Sequence, residues 1–444
     1  MPVRPRPLAT AAALILASAA LAAQQPAARW TTPSPAEIEK VYPDAHALYV
    51  DLHRHPELAF QETQTVARLA AWLKPLGVDV TTGVGRTGIV GVMRNGAGPT
   101  VMLRTELDAL PVKENTGLPY ASTAVAKNAA GEQVPVMHAC GHDLHMAAWA
   151  GTARLMAENR ARWQGTLVLV GQPAEESGGG AAAMIKDGLF TRFPRPDFAL
   201  SLHDDDTMPA GTIGYRAGFF RSMSDAVTIT VFGRGGHGAM PFNTIDPIVL
   251  ASRIVLSLQT IVSRENNPND PVVVTVGSIH GGTQSNVIPN EVRMQLTVRT
   301  YTPEVRARVL AAIRRIARGE AEAAGAPREP QVDVPATGNH PVYNDPVLTN
   351  RLAAALKRGL GEANVVEMPP KMTSEDFAEY GRAGIPAALL HIGAVNAAKL
   401  AEARQTGIPV PPPHSPEWAP DLEPTLKAAI RAEVTELLEL FAGK

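Results

Sequence analysis

His138-Ala-Cys-Gly-His-Asp143 is the stretch from which the rest of the chain can be read, and it runs on to Leu144 and His145. It holds the only cysteine in 444 residues. A thiolate and an imidazole two residues apart, in a tight turn containing glycine, can point at one ion. Cys140 and His142 are therefore candidate ligands for zinc or a similar transition metal. The apolar run from Met146 to Leu155 predicts a helix just after the turn, so the pair would sit at a strand-to-helix junction with one side open. Two other readings of Cys140 stand beside this one: an inert buried cysteine, and a nucleophile with a histidine base. Carboxylates and further histidines downstream have to decide among them.

Working outward, short apolar runs at Gly88 to Met93, Thr100 to Leu103, Gly165 to Val170 and Phe198 to Leu202 predict strands. The second leads into Glu106-Leu-Asp108, where carboxylates at a strand's C-terminal end sit where open α/β sheets bind ligands. Asp108 and Glu106 read either as orienters of a metal-ligating imidazole or as a solvated turn. The third leads into Gln172-Pro-Ala-Glu-Glu-Ser-Gly178. Adjacent carboxylates usually just face water, but these follow a buried-looking strand and a proline and precede a glycine run. That context makes one of Glu175 and Glu176 a ligand and the other a base, the division of labour that metal hydrolases need. The fourth ends at His203. Three successive strand ends thus carry Cys140/His142, Glu175/Glu176 and His203. Further on, the stiff run Pro409 to Pro413 fixes His414 as a possible last ligand. Upstream, His53 and His55 read as loop or supporting residues. Thr373-Ser-Glu-Asp-Phe377 reads as the capped start of a helix.

Between these halves the pattern changes. A strand (225–232), a helix (245–262), two strands (271–279, 291–300), a helix (303–324) and a short strand (330–334) give β-α-β-β-α-β, the split ferredoxin-like order. The expected organisation is an α/β catalytic domain, residues 30–216 and 335–444, with a mixed sheet flanked by helices. An inserted α+β lid domain occupies 217–334. The lid's loops carry His237 among glycines, Gly281 to Pro289 with Asn286, and Arg299 at a strand end. His237 reads as a mobile substrate-contacting group or as an incidental histidine in a glycine-rich turn. Arg299 reads as a carboxylate fork or as the partner of an internal acid.

Composition sets the outer bounds. At this length two domains are expected. Net charge is −2, with 45% hydrophobic and 19% charged residues, and no basic block or aromatic–basic stripe points to nucleic acid. Arg4 and Arg6 precede an apolar run from Leu8 to Ala23 that contains Ala20-Leu-Ala22. Residues 1–23 therefore read as a secretory signal peptide. The run is shorter than the roughly 20 residues of a spanning helix. An exported, periplasmic protein with no membrane attachment after signal removal is the expectation.

Taken together the chain resembles the M20 metallopeptidases, in particular their amidohydrolase branch of hippurate, N-acyl-amino acid and auxin-conjugate hydrolases. Met137-His-Ala-Cys-Gly-His-Asp143 with Gln172-Pro-Ala-Glu-Glu176 carries the resemblance. The glycine stretch around His237 and Asn286-Val-Ile-Pro289 support it, and it extends from His55-Pro-Glu-Leu58 to His414-Ser-Pro416. The resemblance implies two divalent ions (zinc, manganese, cobalt or nickel) bridged by Cys140. His142 and His203 would complete one, Glu176 and His414 the other. It further implies Glu175 as general base and acid and a homodimer through the lid, with His237 reaching the partner's site. Asn286 and Arg299 would hold a substrate carboxylate. Two departures are present: Glu106 where the branch usually has aspartate, and the acidic run Asp204-Asp-Asp206 after His203. The implied activity is hydrolysis of an N-acyl amino acid or related small amide. A dipeptidase or carboxypeptidase, a non-catalytic peptide-binding protein, and a cysteine hydrolase are the alternatives.

Overall fold

The computed structural model describes residues 1–2, 30–334 and 339–442. The expected signal peptide lies outside the described residues apart from Met1 and Pro2. The first half supplies helices α1 (Pro35–Arg54) and α2 (Thr63–Leu73), then strands β1 (Asp79–Val84), β2 (Gly88–Asn95) and β3 (Thr100–Glu106). Helix α3 (His142–Glu158), β4 (Gly165–Gln172), α4 (Gly180–Lys186), β5 (Phe198–Pro209) and β6 (Ile213–Tyr215) follow. A linking strand β7 (Gly218–Arg221) leads to the insertion: β8 (Met223–Phe232), α5 (Pro247–Thr260), β9 (Val273–His280), β10 (Glu291–Thr300), α6 (Pro303–Ala323) and β11 (Gln331–Asp333). The chain returns through β12 (Val342–Asn344), α7 (Pro346–Leu360), β13 (Val365–Glu367), α8 (Ala378–Arg382), β14 (Ala387–Val395) and α9 (Leu422–Phe441).

The first and last segments share one eight-stranded mixed sheet, in the order β1-β2-β4-β3-β5-β14-β6-β13. Its centre, β4-β3-β5-β14, is parallel. Parallel strands are covered on both faces and so read as continuous apolar runs rather than alternating ones; every residue of β14 is buried. One face packs α1, α2, α3, α7 and α9 through Leu48, Leu69, Trp149, Leu352 and Ile430. The other packs α4 and α8 through Ala181, Met184 and Tyr380. Helix α1 starts with a capping box: the Ser34 side chain accepts from the Glu37 amide while Glu37 reaches back to the Ser34 amide.

The insertion is a separate antiparallel sheet, β9-β10-β8-β11. Strands β8 and β10 alternate buried and more exposed residues along most of their length. The inward set, Val227, Ile229, Met294 and Leu296, meets Leu250, Ile254, Val309 and Ile313 of α5 and α6. Where the chain leaves and re-enters the catalytic domain, β7 pairs with β12.

Three local expectations are corrected. The helix after the cysteine begins at His142, not after it, so His142 stands in its first turn. No strand of the large sheet feeds the turn; a short hairpin strand, Gln133–Pro135, and the bridge Leu110–Met137 do. Strand β5 does not stop at Leu202 but runs through the acidic residues to Pro209, with His203 opposite His391 of β14. It can continue because its acids are matched: Lys371 Nζ lies 2.5 Å from Asp205 and His391 Nδ1 2.7 Å from it, while Asp204 faces His145 and His203. Finally, Thr373–Phe377 leads into a helix but gives it no side-chain cap: Phe377 is the N-cap residue of α8, which begins at Ala378, and Glu375 and Asp376 turn inward.

Candidate metal centre

The cysteine turn depends on Gly141. Its φ is +75°, and a Cβ there would stand 2.3 Å from Asp204 Oδ2, so only glycine lets the turn close on β5. Cys140 and His142 flank it. The Nδ1 of His142 lies 2.7 Å from the Asp108 carbonyl oxygen. A carbonyl only accepts, so the proton is on Nδ1, and Nε2 keeps a lone pair that is buried and meets no donor. His203 repeats the arrangement: Nδ1 donates to the Asp204 carbonyl at 2.8 Å, and Nε2 lies 3.6 Å from Cys140 Sγ. Imidazoles locked in this way through Nδ1 are oriented as metal ligands are.

The glutamate pair is held from three sides. Glu62 accepts the Ala174 amide at 2.9 Å, fixing a turn in which Ala174 has φ +52°. The Asp108 carboxylate accepts the amides of Glu175 (2.9 Å) and Glu176 (3.1 Å). Asp108 thus supports the site twice, with its carbonyl on His142 and its carboxylate under the glutamates. Opposite, the His414 amide donates to the Ala139 carbonyl at 2.7 Å, tying the proline loop to the cysteine turn. His414 Nε2 then stands 3.2 Å from Cys140 Sγ and 3.3 Å from Glu176 Oε1.

Ligand atoms of Cys140, His142 and His203 lie within 4.8 Å of one another, as do those of Cys140, Glu176 and His414. Cys140 belongs to both groups, in the position of a bridge. A sulfur, an unprotonated imidazole nitrogen and an unpaired carboxylate oxygen share acceptor character, and a cation is what such a donor set fits. Burial pushes the Cys140 thiol well up, and Glu176, Asp204 and Glu175 add to this. A cysteine acts as nucleophile or ligand only as its thiolate, which this environment disfavours unless a cation is bound beside it. Burial also pushes Glu175 well up, reinforced by Glu375 and Glu176. For Glu176 burial is outweighed by His414 and His142, and its carboxyl lies below the usual range.

A buried polar layer lies behind the centre. Arg104 donates to Gln172 (2.9 Å), Glu375 (2.8 Å) and Asp376 (3.1 Å) and pairs with Glu106. Glu106 lies 3.1 Å from His145 Nδ1, while His145 Nε2 accepts the Asp204 amide at 2.8 Å. Glutamate at 106 therefore reaches His145, and not a candidate ligand. His53 lies 2.7 Å from Asp143 and 3.0 Å from Glu114 beneath the turn. His55 is exposed and bonds its own helix.

The centre opens into a cleft of about 450 Å³ lined by Arg221, Arg299, Lys371 and Ser374 among others. Arg299 donates to Ser374 (2.9 Å) and Thr297 (3.2 Å), and no carboxylate pairs with it among the described residues. The internal-acid reading of Arg299 therefore falls. His237 and Asn286 are not brought to this cleft. They lie together on the insertion, where residues 236–237 pair with 287–288 and the Gly238 amide donates to the Asn286 carbonyl at 2.8 Å. Sequence reasoning missed Arg221, Lys371 and His391 in the cleft wall. Each comes from a different segment, and no local spacing connects them.

Three comparisons bear on this geometry. The pattern of Peptidase family M20/M25/M40 matches residues 102–405. The chain is 37% identical over 330 residues to the N-acetyl-L-cysteine deacetylase of Bacillus subtilis (strain 168), covering 74% of this chain and 75% of that one. It is 36% identical over 336 residues to Thermostable carboxypeptidase 1 of Saccharolobus solfataricus, covering 74% and 80%. Among solved structures it is similar to a dinuclear metal-binding M20-family peptidase of Bacillus subtilis, with a TM-score of 0.73 and 29% identity over 91% of this chain and 99% of that one.

Proposed function

Because the chain belongs to the M20/M25/M40 peptidase family and is a metal-dependent hydrolase of amide bonds, we propose that it cleaves the acyl–nitrogen bond of small N-acyl amino acids. The observation that carries this is the pair of ligand groups, Cys140 with His142 and His203 and Cys140 with Glu176 and His414, that share the cysteine, with the buried, high-pKa carboxyl of Glu175 beside them. Two divalent ions held by those five side chains would polarise the carbonyl and acidify a water. Zinc, manganese, cobalt and nickel all suit the donor set. Glu175 takes the proton of the attacking water and delivers it to the leaving nitrogen. Arg299, charged and without an acid of its own, holds the substrate carboxylate, and Asn286 adds a donor. His237 stabilises the oxyanion from the partner subunit of a homodimer, and Asp108 keeps the glutamates in place. The protein works in the periplasm after its signal peptide is removed.

The test is a panel of N-acyl amino acids, their C-terminal amides and dipeptides, offered to metal-reconstituted protein. N-acyl amino acids should turn over fastest, the amides slowly, and Arg299→Ala should erase most of that difference. Equal rates on acid and amide in the wild type would show that no carboxylate is read. A second reading, a carboxypeptidase or dipeptidase, is favoured by the cleft itself: apart from Pro412 and Pro413 its lining carries few apolar groups for a bulky acyl chain. Faster cleavage of dipeptides than of acyl amino acids would select it.

A further inference from the structure

Arg221 is a buried cation that neither reading uses. It ends β7, lines the cleft, and is only 6% exposed. Its Nη1 donates to Thr373 Oγ1 at 2.9 Å, and its Nη2 lies 3.0 Å from His391 Nε2. Guanidinium only donates, so His391 Nε2 accepts and the ring proton is on Nδ1, facing Asp205 at 2.7 Å. With Nε2 accepting, the ring carries one proton only and is neutral. Asp205 takes its counter-charge from Lys371. The guanidinium therefore touches two neutral partners, and among the described residues no carboxylate lies within ion-pair distance of it. Its Nε is buried and donates to nothing. A buried charge is stable only when paired, and this one borders a cleft.

Its position indicates which anion completes it. Arg221 lines the same cleft as Cys140, His203 and His414, and its partner His391 stands opposite His203 in the sheet, so it lies beside the metal-ligand cluster. Arg299 reaches from the lid and is anchored on Ser374. In amide hydrolysis the water oxygen bonds to the carbonyl carbon and the C–N bond breaks. The proton goes to the nitrogen, and the acyl half leaves as a carboxylate. That new negative charge forms at the cluster.

We propose that Arg221 binds the carboxylate created on the acyl half of the substrate, while Arg299 reads the carboxylate the amino acid already carries. This rests on the proposed amide hydrolysis. The matching ligand is a short-chain carboxylate such as acetate or propionate.

The experiment is calorimetric titration of acetate into metal-loaded protein, which needs no turnover, together with product inhibition. Wild type should bind acetate. Arg221→Met should weaken that binding tenfold or more while keeping its metal content, and should leave inhibition by the free amino acid within twofold. Arg221→Lys, which keeps the charge in the same wall, should recover part of the acetate affinity; should the methionine variant not fold, the loss in the lysine variant relative to wild type decides. Acetate affinity unchanged by either substitution overturns the proposal, as does a loss that falls on the amino acid instead. If no N-acyl amino acid is hydrolysed but acetate still binds through Arg221, the substrate reading fails and the anion site stands.

Discussion

Glu175 and Glu176 are neighbours in one turn, yet their carboxyls are pushed in opposite directions. Burial, with the charges of Glu375 and Glu176, lifts Glu175; His414 and His142 overcome burial and depress Glu176. A group that must carry a proton and a group that must stay ionised on a cation need that difference. Glu175→Gln should keep full metal content by elemental analysis and the wild-type circular dichroism spectrum, while turnover falls by a factor of about 10²–10⁴, the range of general acid–base catalysis. Glu176→Gln should instead lose metal, because an amide oxygen is a weaker, uncharged donor. The reversed pair of phenotypes would exchange the two roles. The pair was legible in the sequence as a pair. Which member does what depends on Asp108, Glu62 and His414, which reach the turn from other parts of the chain.

At the scale of elements, the buried Arg104 of β3 ties the sheet to the segment before α8 by pairing with Glu106, Glu375 and Asp376, all buried. Arg104→Met would leave three carboxylates without their cation. Breaking a buried ion pair from one side costs about 3–5 kcal/mol, so urea unfolding should show a loss of that order, and a loss under 1 kcal/mol would mean the acids simply protonate. This layer explains why Thr373–Phe377 was misread. Ser-Glu-Asp before a helix has capping chemistry, and nothing nearby in sequence announces an arginine 271 positions away. The long elements were legible because apolar periodicity is local. The exposed β1 and the three-residue β6, β12 and β13 were not, because they are defined only by partners elsewhere. Helix α9 carries a different consequence. Glu433 is buried against Thr152 of α3, at 2.7 Å, and burial raises its carboxyl to about 8. Between the unfolded value of 4.5 and about 8 the folded state holds a proton that the unfolded chain has released. Stability therefore falls as pH rises through that window, by up to about 1.4 kcal/mol per pH unit from this group. Glu433→Gln, which keeps a neutral partner for Thr152, should be less sensitive than wild type between pH 5 and 8 in urea titrations. Parallel slopes would mean Glu433 does not titrate there.

At the scale of the whole molecule, the insertion carries two of the proposed site residues away from the cleft. His237 and Asn286 stand on its outer loops, and neither lines the cleft that holds the candidate ligands. The lid also exposes apolar side chains that a soluble domain would be expected to cover: Phe242 is 80% exposed, Val249 57% and Leu256 72%. The last two lie on α5, whose other face, Leu250, Ile254 and Leu258, is already packed on the lid sheet. An apolar face of this kind is suited to a second copy of the chain. If His237 completes the partner's centre, neither subunit of a mixed pair needs both working residues. His237→Ala keeps Glu175, and Glu175→Gln keeps His237, so each hybrid dimer contains one site with both. Two inactive variants mixed in equal amounts and allowed to exchange should then recover about a quarter of wild-type activity, since half the dimers are hybrid and one site in each is whole. Subunit exchange is verified separately with distinguishable tags. Exchange without recovery would place His237 in its own subunit's site or outside catalysis, and the lid would then have to close over its own cleft.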